Sequence, residues 1–371
     1  MNNTPIFTKP HYELLDALRG VAALIVICYH IGEGFATSSV DLVVNHGYLA
    51  VDFFFMLSGF VISYAYDDRW KKGMNIGDFL KRRFIRLHPM VAMGVLFGVI
   101  SYCLQGCVKW SGESVPFSMV IISAFMALFM LPASPGTSVE VRGNNEMFPI
   151  NGPEWSLFFE YIAYMFYAAF MHRIGTRMLK LITFIFGVGL LSIALFSGTE
   201  SMGMGWTLLG LNFPAGLCRV GFAFSMGILL RRSFRPNRVP YAFAICAIVL
   251  IVLLSMPYVG TVTMPWINCL YEVVCIAIVF PVVIYIGACG CCESKIENRI
   301  CDFLGQLSYP LYIIHYPFMY LFYWYVWSHG YGFTEVIPQA IVAVGGSILT
   351  AFLLMQYYDI PTRRWLSNKL K

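Results

Sequence analysis

Charge is what this sequence has least of. Of its 371 residues only 12% are Asp, Glu, Lys or Arg, 58% are hydrophobic, and the mean hydropathy is +0.69. Soluble domains carry about 25% charged residues, so an ordinary soluble fold is excluded and a polytopic membrane protein is indicated. No polar stretch is long enough to fold alone, and residues 1–371 read as one membrane domain with short tails at about 1–13 and 358–371. The opening MNNTPIFTKPHYE lacks a basic region and a small-residue cleavage site, so the first apolar run is expected to be retained. A repeat of about 20–50 residues is also missing, and with it the signature of inverted-repeat transporters. The net charge of +5 belongs to loops, and nucleic acid is not an expected partner. Most of the 11 cysteines sit in apolar runs; Cys289, Cys291, Cys292 and Cys301 cluster near one loop without regular zinc spacing, so no metal is expected.

Long hydrophobic runs are abundant. Segments able to span lie at approximately 14–31, 47–66, 89–105, 117–132, 155–171, 181–197, 212–230, 240–256, 266–287, 308–328 and 336–357. Four basic clusters, Lys71 to Arg86, His172 to Lys180, Arg231 to Arg238 and Arg363 to Lys371, all favour the cytoplasm. Three candidate segments separate the first two clusters, an odd number that would put one of them on the wrong side. One of the three therefore does not cross fully. The region 107–152 is the suspect, because it joins a segment of marginal length to the polar insert ASPGTSVEVRGNNEMFPING. The expected fold is all-α, with about ten transmembrane helices around a central polar cavity, one re-entrant or interfacial segment, and both termini cytoplasmic.

The run LLDALRGVAALIVICYHI at 14–31 carries Asp16, Arg19 and His30. An Arg in a spanning helix costs about 2.5–3.5 kcal/mol on insertion scales and marks a functional path by default. Eleven residues at about 100° each bring His30 back to the face of Arg19, roughly 16 Å along the axis. A fixed cation and a titratable imidazole thus share one cavity face at two depths. Asp52, in VDFFFMLSGF with Ser58, either orients His30 as a general base or caps the second helix. Arg83 and Arg86, three residues apart on one helical face, suit phosphate oxygens or anionic lipid. Glu160, following Trp155 in NGPEWSLFFE, is either a functional intramembrane acid or a structural hydrogen-bond partner, with Tyr164 and Tyr167 on its face. Ser308, Tyr309, Tyr312 and His315 share one face of a late span, a pattern common to helix packing and to catalysis. Arg219, within PAGLCRVGFAFSMGILL, needs a carboxylate or a ligand anion.

Taken in order, LDALRG at 15–20, His30 beyond Arg19, VDFFFMLSGF at 51–60, the Arg83 and Arg86 pair, Trp155-Ser156-Leu157 with Glu160, and LGQLSYPLYIIH at 304–315 resemble acyltransferase family three. These integral-membrane O-acyltransferases modify surface polysaccharides, lipopolysaccharide, peptidoglycan and some small metabolites. The resemblance implies acyl-CoA, usually acetyl-CoA, as donor, His30 as catalytic residue, and Arg83 and Arg86 as required on the cytoplasmic side. It departs at SLFFEY after Trp155, where the family more often has paired acids, so only Glu160 carries over. No hydrolase-like domain follows the motifs, so acceptor choice is expected to rest with the membrane domain. The expected reaction is transfer from acyl-CoA to a hydroxyl of an extracytoplasmic glycan, glycolipid or small acceptor, with His30, Asp52 and Glu160 catalytic and Arg19, Arg83 and Arg86 holding the donor. Ser58, Trp155, Arg219, Tyr309 and His315 are further cavity candidates. The location implied is a membrane, the bacterial cytoplasmic membrane. A transporter or lipid-linked sugar flippase would use the same buried charges, and a scaffold with purely structural ions is the third alternative.

Overall fold

The computed structural model describes residues 12–261 and 263–369. The regular structure of the described residues is helical, and apart from one isolated bridge between Val108 and Ser114 they contain no β pairing. The helices, in chain order, are α1 (Glu13–Glu33), α2 (Ala50–Lys71), α3 (Ile76–Leu104), α4 (Phe117–Leu128), α5 (Glu154–Phe166), α6 (Thr176–Phe196), α7 (Asn212–Ser233), α8 (Ala242–Ser255), α9 (Pro265–Cys289), α10 (Lys295–His329) and α11 (Ile337–Lys369). Seven of them, α1, α2, α3, α6, α7, α9 and α11, are long and apolar enough to cross a membrane. Aromatic and aliphatic side chains such as Phe170, Phe184, Ile248 and Val342 project outward on this bundle, as lipid contact requires.

Two crossings position the polar interior. Helix α1 packs most extensively on α10, and α2 on α7. Both crossings depend on glycine: a Cβ on Gly20 would strike the Leu304 backbone, and one on Gly59 would strike the Phe224 carbonyl. In lipid, where apolar side chains gain little from meeting each other, such small residues let backbones approach. The first contact sets Arg19 beside Ser308, and the second sets Asp52 opposite Arg219.

Region 107–152 contains the 12-residue α4, about 18 Å long and short of a hydrocarbon core of about 30 Å. After it the chain is irregular and folds back against α3 and α10. The insert that reads as polar is exposed around Ser138 but mostly buried from Glu140 on: Glu140 is 3% exposed and Arg142 1%. The Arg142 guanidinium lies 3.3 Å from the Tyr320 ring centroid and donates to the Pro149 carbonyl and to Gln105. Within α10, Pro317 removes a backbone donor and leaves the Ile313 carbonyl free; Asn151 from the insert donates to it at 3.2 Å. Irregular backbone inside a membrane bundle is tolerated only where it is packed in protein or lines a cavity, and this segment does both. At the other end, the expected tail from 358 continues α11 to Lys369 through a π-turn at Met355–Asp359.

Candidate active site

His30 stands one turn from the end of α1. Its Nδ1 lies 2.5 Å from Oε2 of Glu33, three residues on along the same helical face. Tyr29 donates to the other Glu33 oxygen at 2.7 Å, and Tyr323 donates to the His30 carbonyl at 2.7 Å and to Glu33 at 3.3 Å. The ring is bracketed by Tyr316, edge-on at 4.8 Å, and by His315, stacked at 5.3 Å. With Nδ1–H committed to the carboxylate, Nε2 is the basic nitrogen, and it has no hydrogen-bond partner among the described residues. His30 faces a cavity of about 460 Å³ whose wall includes Glu33, Glu146, Trp155, Arg219 and Tyr316.

Asp52 does not orient His30. It is fully buried and takes a forked ion pair from Arg219, with Nη2 at 2.6 Å and Nε at 3.0 and 3.2 Å from its two oxygens. A guanidinium in lipid demands a counter-charge, and this geometry engages both carboxylate oxygens, while His30 bonds Glu33 instead. The need of Arg219 for a carboxylate was legible in the sequence; its partner was assigned to another group. Arg219 also donates to the Met204 and Tyr48 carbonyls and lies 5.4 Å from the Trp155 ring. The carboxylate that serves His30 is Glu33, whose three-residue spacing was visible but which falls just past the apolar run.

Glu160 is not in the His30 layer either. Together with Ser58, Tyr164 and Tyr309 it lines a second cavity of about 330 Å³ that also holds Arg19, Arg83 and Arg86. Ser58 donates to Glu160 at 2.6 Å and Tyr164 bonds the same oxygen, while Tyr167, expected on that face, donates to Asp67. A helical residue's partners follow its own turn: Ser156, one turn nearer Trp155, bonds the Tyr312 hydroxyl at 2.7 Å. Arg19 is held by Ser308 at 2.8 Å, the Gly305 carbonyl and Asp16. Arg83 and Arg86 differ. Arg83 stacks over the Tyr66 and Tyr164 rings, and neither guanidinium lies within ion-pair distance of a carboxylate among the described residues. Tyr309 donates to the Leu87 carbonyl at 2.6 Å on the cavity wall.

The expected single cavity is therefore two, which adjoin at Val51 and Tyr312. A third space of about 370 Å³ continues from the second at Asp16, Arg19, Arg86 and Tyr309 and reaches Arg363 and Arg364. His315 lies behind His30, fully buried, its Nδ1 3.2 Å from the Leu311 carbonyl and its Nε2 without a partner. Trp155 faces the His30 cavity. The described residues contain no group of three or more His, Cys, Asp or Glu placed to share a metal ion.

Residues 12–356 match the family described as acyltransferase domain. The chain belongs to acyltransferase family three. Protein 2 in the picA locus of Rhizobium radiobacter is 31% identical over 193 residues, 49% of this chain and 94% of that protein. The peptidoglycan O-acetyltransferase OatA of Listeria monocytogenes is 31% identical over 102 residues, 27% of this chain but only 15% of OatA. The acyltransferase MdmB of Streptomyces mycarofaciens is 28% identical over 163 residues, 41% of this chain and 37% of MdmB. No solved structure matches. This acyltransferase is thus an integral-membrane enzyme with multiple candidate spans and bacterial relatives.

Proposed function

We propose that this acyltransferase moves an acetyl group from acetyl-CoA, bound from the cytoplasmic side, to a hydroxyl of an extracytoplasmic glycan, glycolipid or small acceptor. One observation carries the reading: a carboxylate-held imidazole with a free nitrogen faces one cavity, and two guanidiniums outside ion-pair distance of any carboxylate among the described residues face the cavity next to it. Arg83 and Arg86 hold the phosphates of the donor, as forked cations hold anions. The pantetheine arm passes Arg19 and reaches the His30 cavity between Val51 and Tyr312. His30 Nε2 takes the proton of the acceptor hydroxyl while its oxygen attacks the thioester carbonyl; the C–S bond then breaks and the thiolate leaves with the proton carried by His30. The products are an acetyl ester and free coenzyme A thiol. Glu33 holds the ring in one tautomer and offsets the imidazolium charge. Tyr316, whose hydroxyl has no hydrogen-bond partner among the described residues, supplies a donor for the developing oxyanion. The family match favours acyl transfer over the transporter or flippase reading of the same charges.

The test is thiol release from acetyl-CoA by purified protein, measured with and without hydroxylated acceptors. Acceptor-dependent release supports the reading, and coenzyme A binding without any acceptor-dependent release would sink it. Sidedness is checked with Ser138→Cys, an exposed site in the insert, in a background cleared of reactive native thiols. An impermeant maleimide should label intact cells; labelling only after permeabilisation would put the His30 cavity on the wrong side for an extracytoplasmic acceptor.

A further inference from the structure

The His30 cavity has a wall that the chemistry above leaves unused. Trp327 stacks on Tyr323 with ring centroids 5.2 Å apart and an interplanar angle of 16°, and Trp110 meets Trp327 edge-on at 4.9 Å. This wall is tied to the base itself. The Trp327 indole donates to the Gly34 carbonyl at 2.8 Å, one turn beyond His30, and Tyr323 donates to the His30 carbonyl. Trp327 is half exposed, so an aromatic face stays open although its edge is anchored. Beside the wall lie Glu146 and Asn144, bonded to each other at 2.7 Å, with Glu146 also accepting from the Tyr320 hydroxyl.

The charge of this lining is one-sided. Its ionisable groups are Glu33, Glu146, His30 and Arg219, with tyrosine hydroxyls; Arg219 is consumed by Asp52, and His30 is consumed by Glu33. Arg142 stacks against the Tyr320 and Trp110 rings and is not part of the cavity lining. The cavity therefore offers aromatic faces, carboxylate and amide oxygens, and no unmatched positive charge. An anion entering it would be desolvated without a counter-ion, which is costly. A pyranose ring offers apolar C–H groups to an indole face and hydroxyl donors to carboxylate oxygens, and the volume of about 460 Å³ falls within the range of small-molecule sites.

We infer that the His30 cavity is an acceptor subsite for an uncharged pyranose, stacked on Trp327 and Trp110 and hydrogen-bonded to Glu146 and Asn144, and that it selects against anionic sugars. The inference rests on the acyl-transfer reading and names the acceptor class for that site. A hydroxyl of a ring held there is delivered to His30 because the wall and the base hang on the same turn of α1.

The test titrates full-length protein in nanodiscs with methyl β-D-glucopyranoside, methyl β-D-glucosaminide and methyl β-D-glucuronide, reading binding by saturation-transfer NMR, with coenzyme A affinity measured separately. The glucoside is expected to bind at least about tenfold more tightly than the glucuronide, a gap of about 1.4 kcal/mol. Trp327→Ala should weaken glucoside binding about tenfold with coenzyme A affinity unchanged, which also reports that the variant is folded. Trp110→Ala should act in the same direction, and Trp327→Phe, which keeps a ring face, should retain most of the binding. Glucuronide binding as tight as glucoside, no binding of any of the three sugars, or equal loss in Trp327→Phe and Trp327→Ala would overturn the assignment. Loss of coenzyme A binding in the wild-type protein would instead strike the donor reading, since the sugar titrations contain no donor.

Discussion

The two adjoining cavities treat charge in opposite ways. Around His30 each basic group has its carboxylate built in: Glu33 for His30, and Asp52 for Arg219. Around Glu160, Arg83 and Arg86 stand without ion pairs although each is a cation among apolar helices. On the proposed reading, two guanidiniums held outside ion-pair distance of any carboxylate among the described residues are open to an anion from outside the fold. The proposed function places the donor in the space with open cations and the chemistry in the space where the imidazole is held by a carboxylate.

The contrast breaks most visibly at Arg219. Arg219→Ala would strand Asp52 in a fully buried site, and removing one partner of such a pair costs about 3–5 kcal/mol. A large fall in detergent-solubilised melting temperature is expected, while Arg86→Ala, which breaks no ion pair among the described residues, should melt closer to wild type. Equal melting of the two variants would erase the distinction between matched and unmatched charges. Next in size is the base. His30→Ala should lower turnover by about 10²–10⁴-fold with melting little changed, as general-base removal does. Glu33→Gln should fall between it and wild type, and full turnover in His30→Ala would remove the histidine from the reaction. The smallest effect belongs to the boundary. Tyr312→Phe loses the hydrogen bond to Ser156, worth about 0.5–1.5 kcal/mol, and should alter turnover by less than about tenfold; a loss as large as that of His30→Ala would make Tyr312 a participant rather than a divider.

Much of this was readable along single helices and little of it across them. The α1 face with Arg19 and His30 follows from helical periodicity, and the apolar runs at 14–31, 47–66 and 212–230 each fall within or largely within one helix. The short α4 and the irregular chain after it lie at 107–152, where the sequence led us to expect an incomplete crossing. Pairing between helices is where reading failed. Asp52 and Glu160 were placed near His30 from their distance into a span, yet Asp52 is claimed by an arginine 167 residues away and Glu160 by Ser58 on α2. Glu33 was overlooked because it lies where hydrophobicity ends, although its spacing from His30 was the more direct signal. Burial of the 133–152 insert was hidden too, since Glu140, Arg142 and Glu146 read as loop polarity until the aromatic rings and carbonyls that satisfy them are known.

Calorimetric titration of coenzyme A into purified wild-type, Arg83→Ala, Arg86→Ala and His30→Ala proteins tests the division of labour most directly. The account predicts that each arginine variant loses about 1.5–3 kcal/mol of binding, the range for a hydrogen bond to a charged group, while His30→Ala binds as the wild type does. Unchanged affinity in both arginine variants, or a loss in His30→Ala as large as theirs, would contradict it.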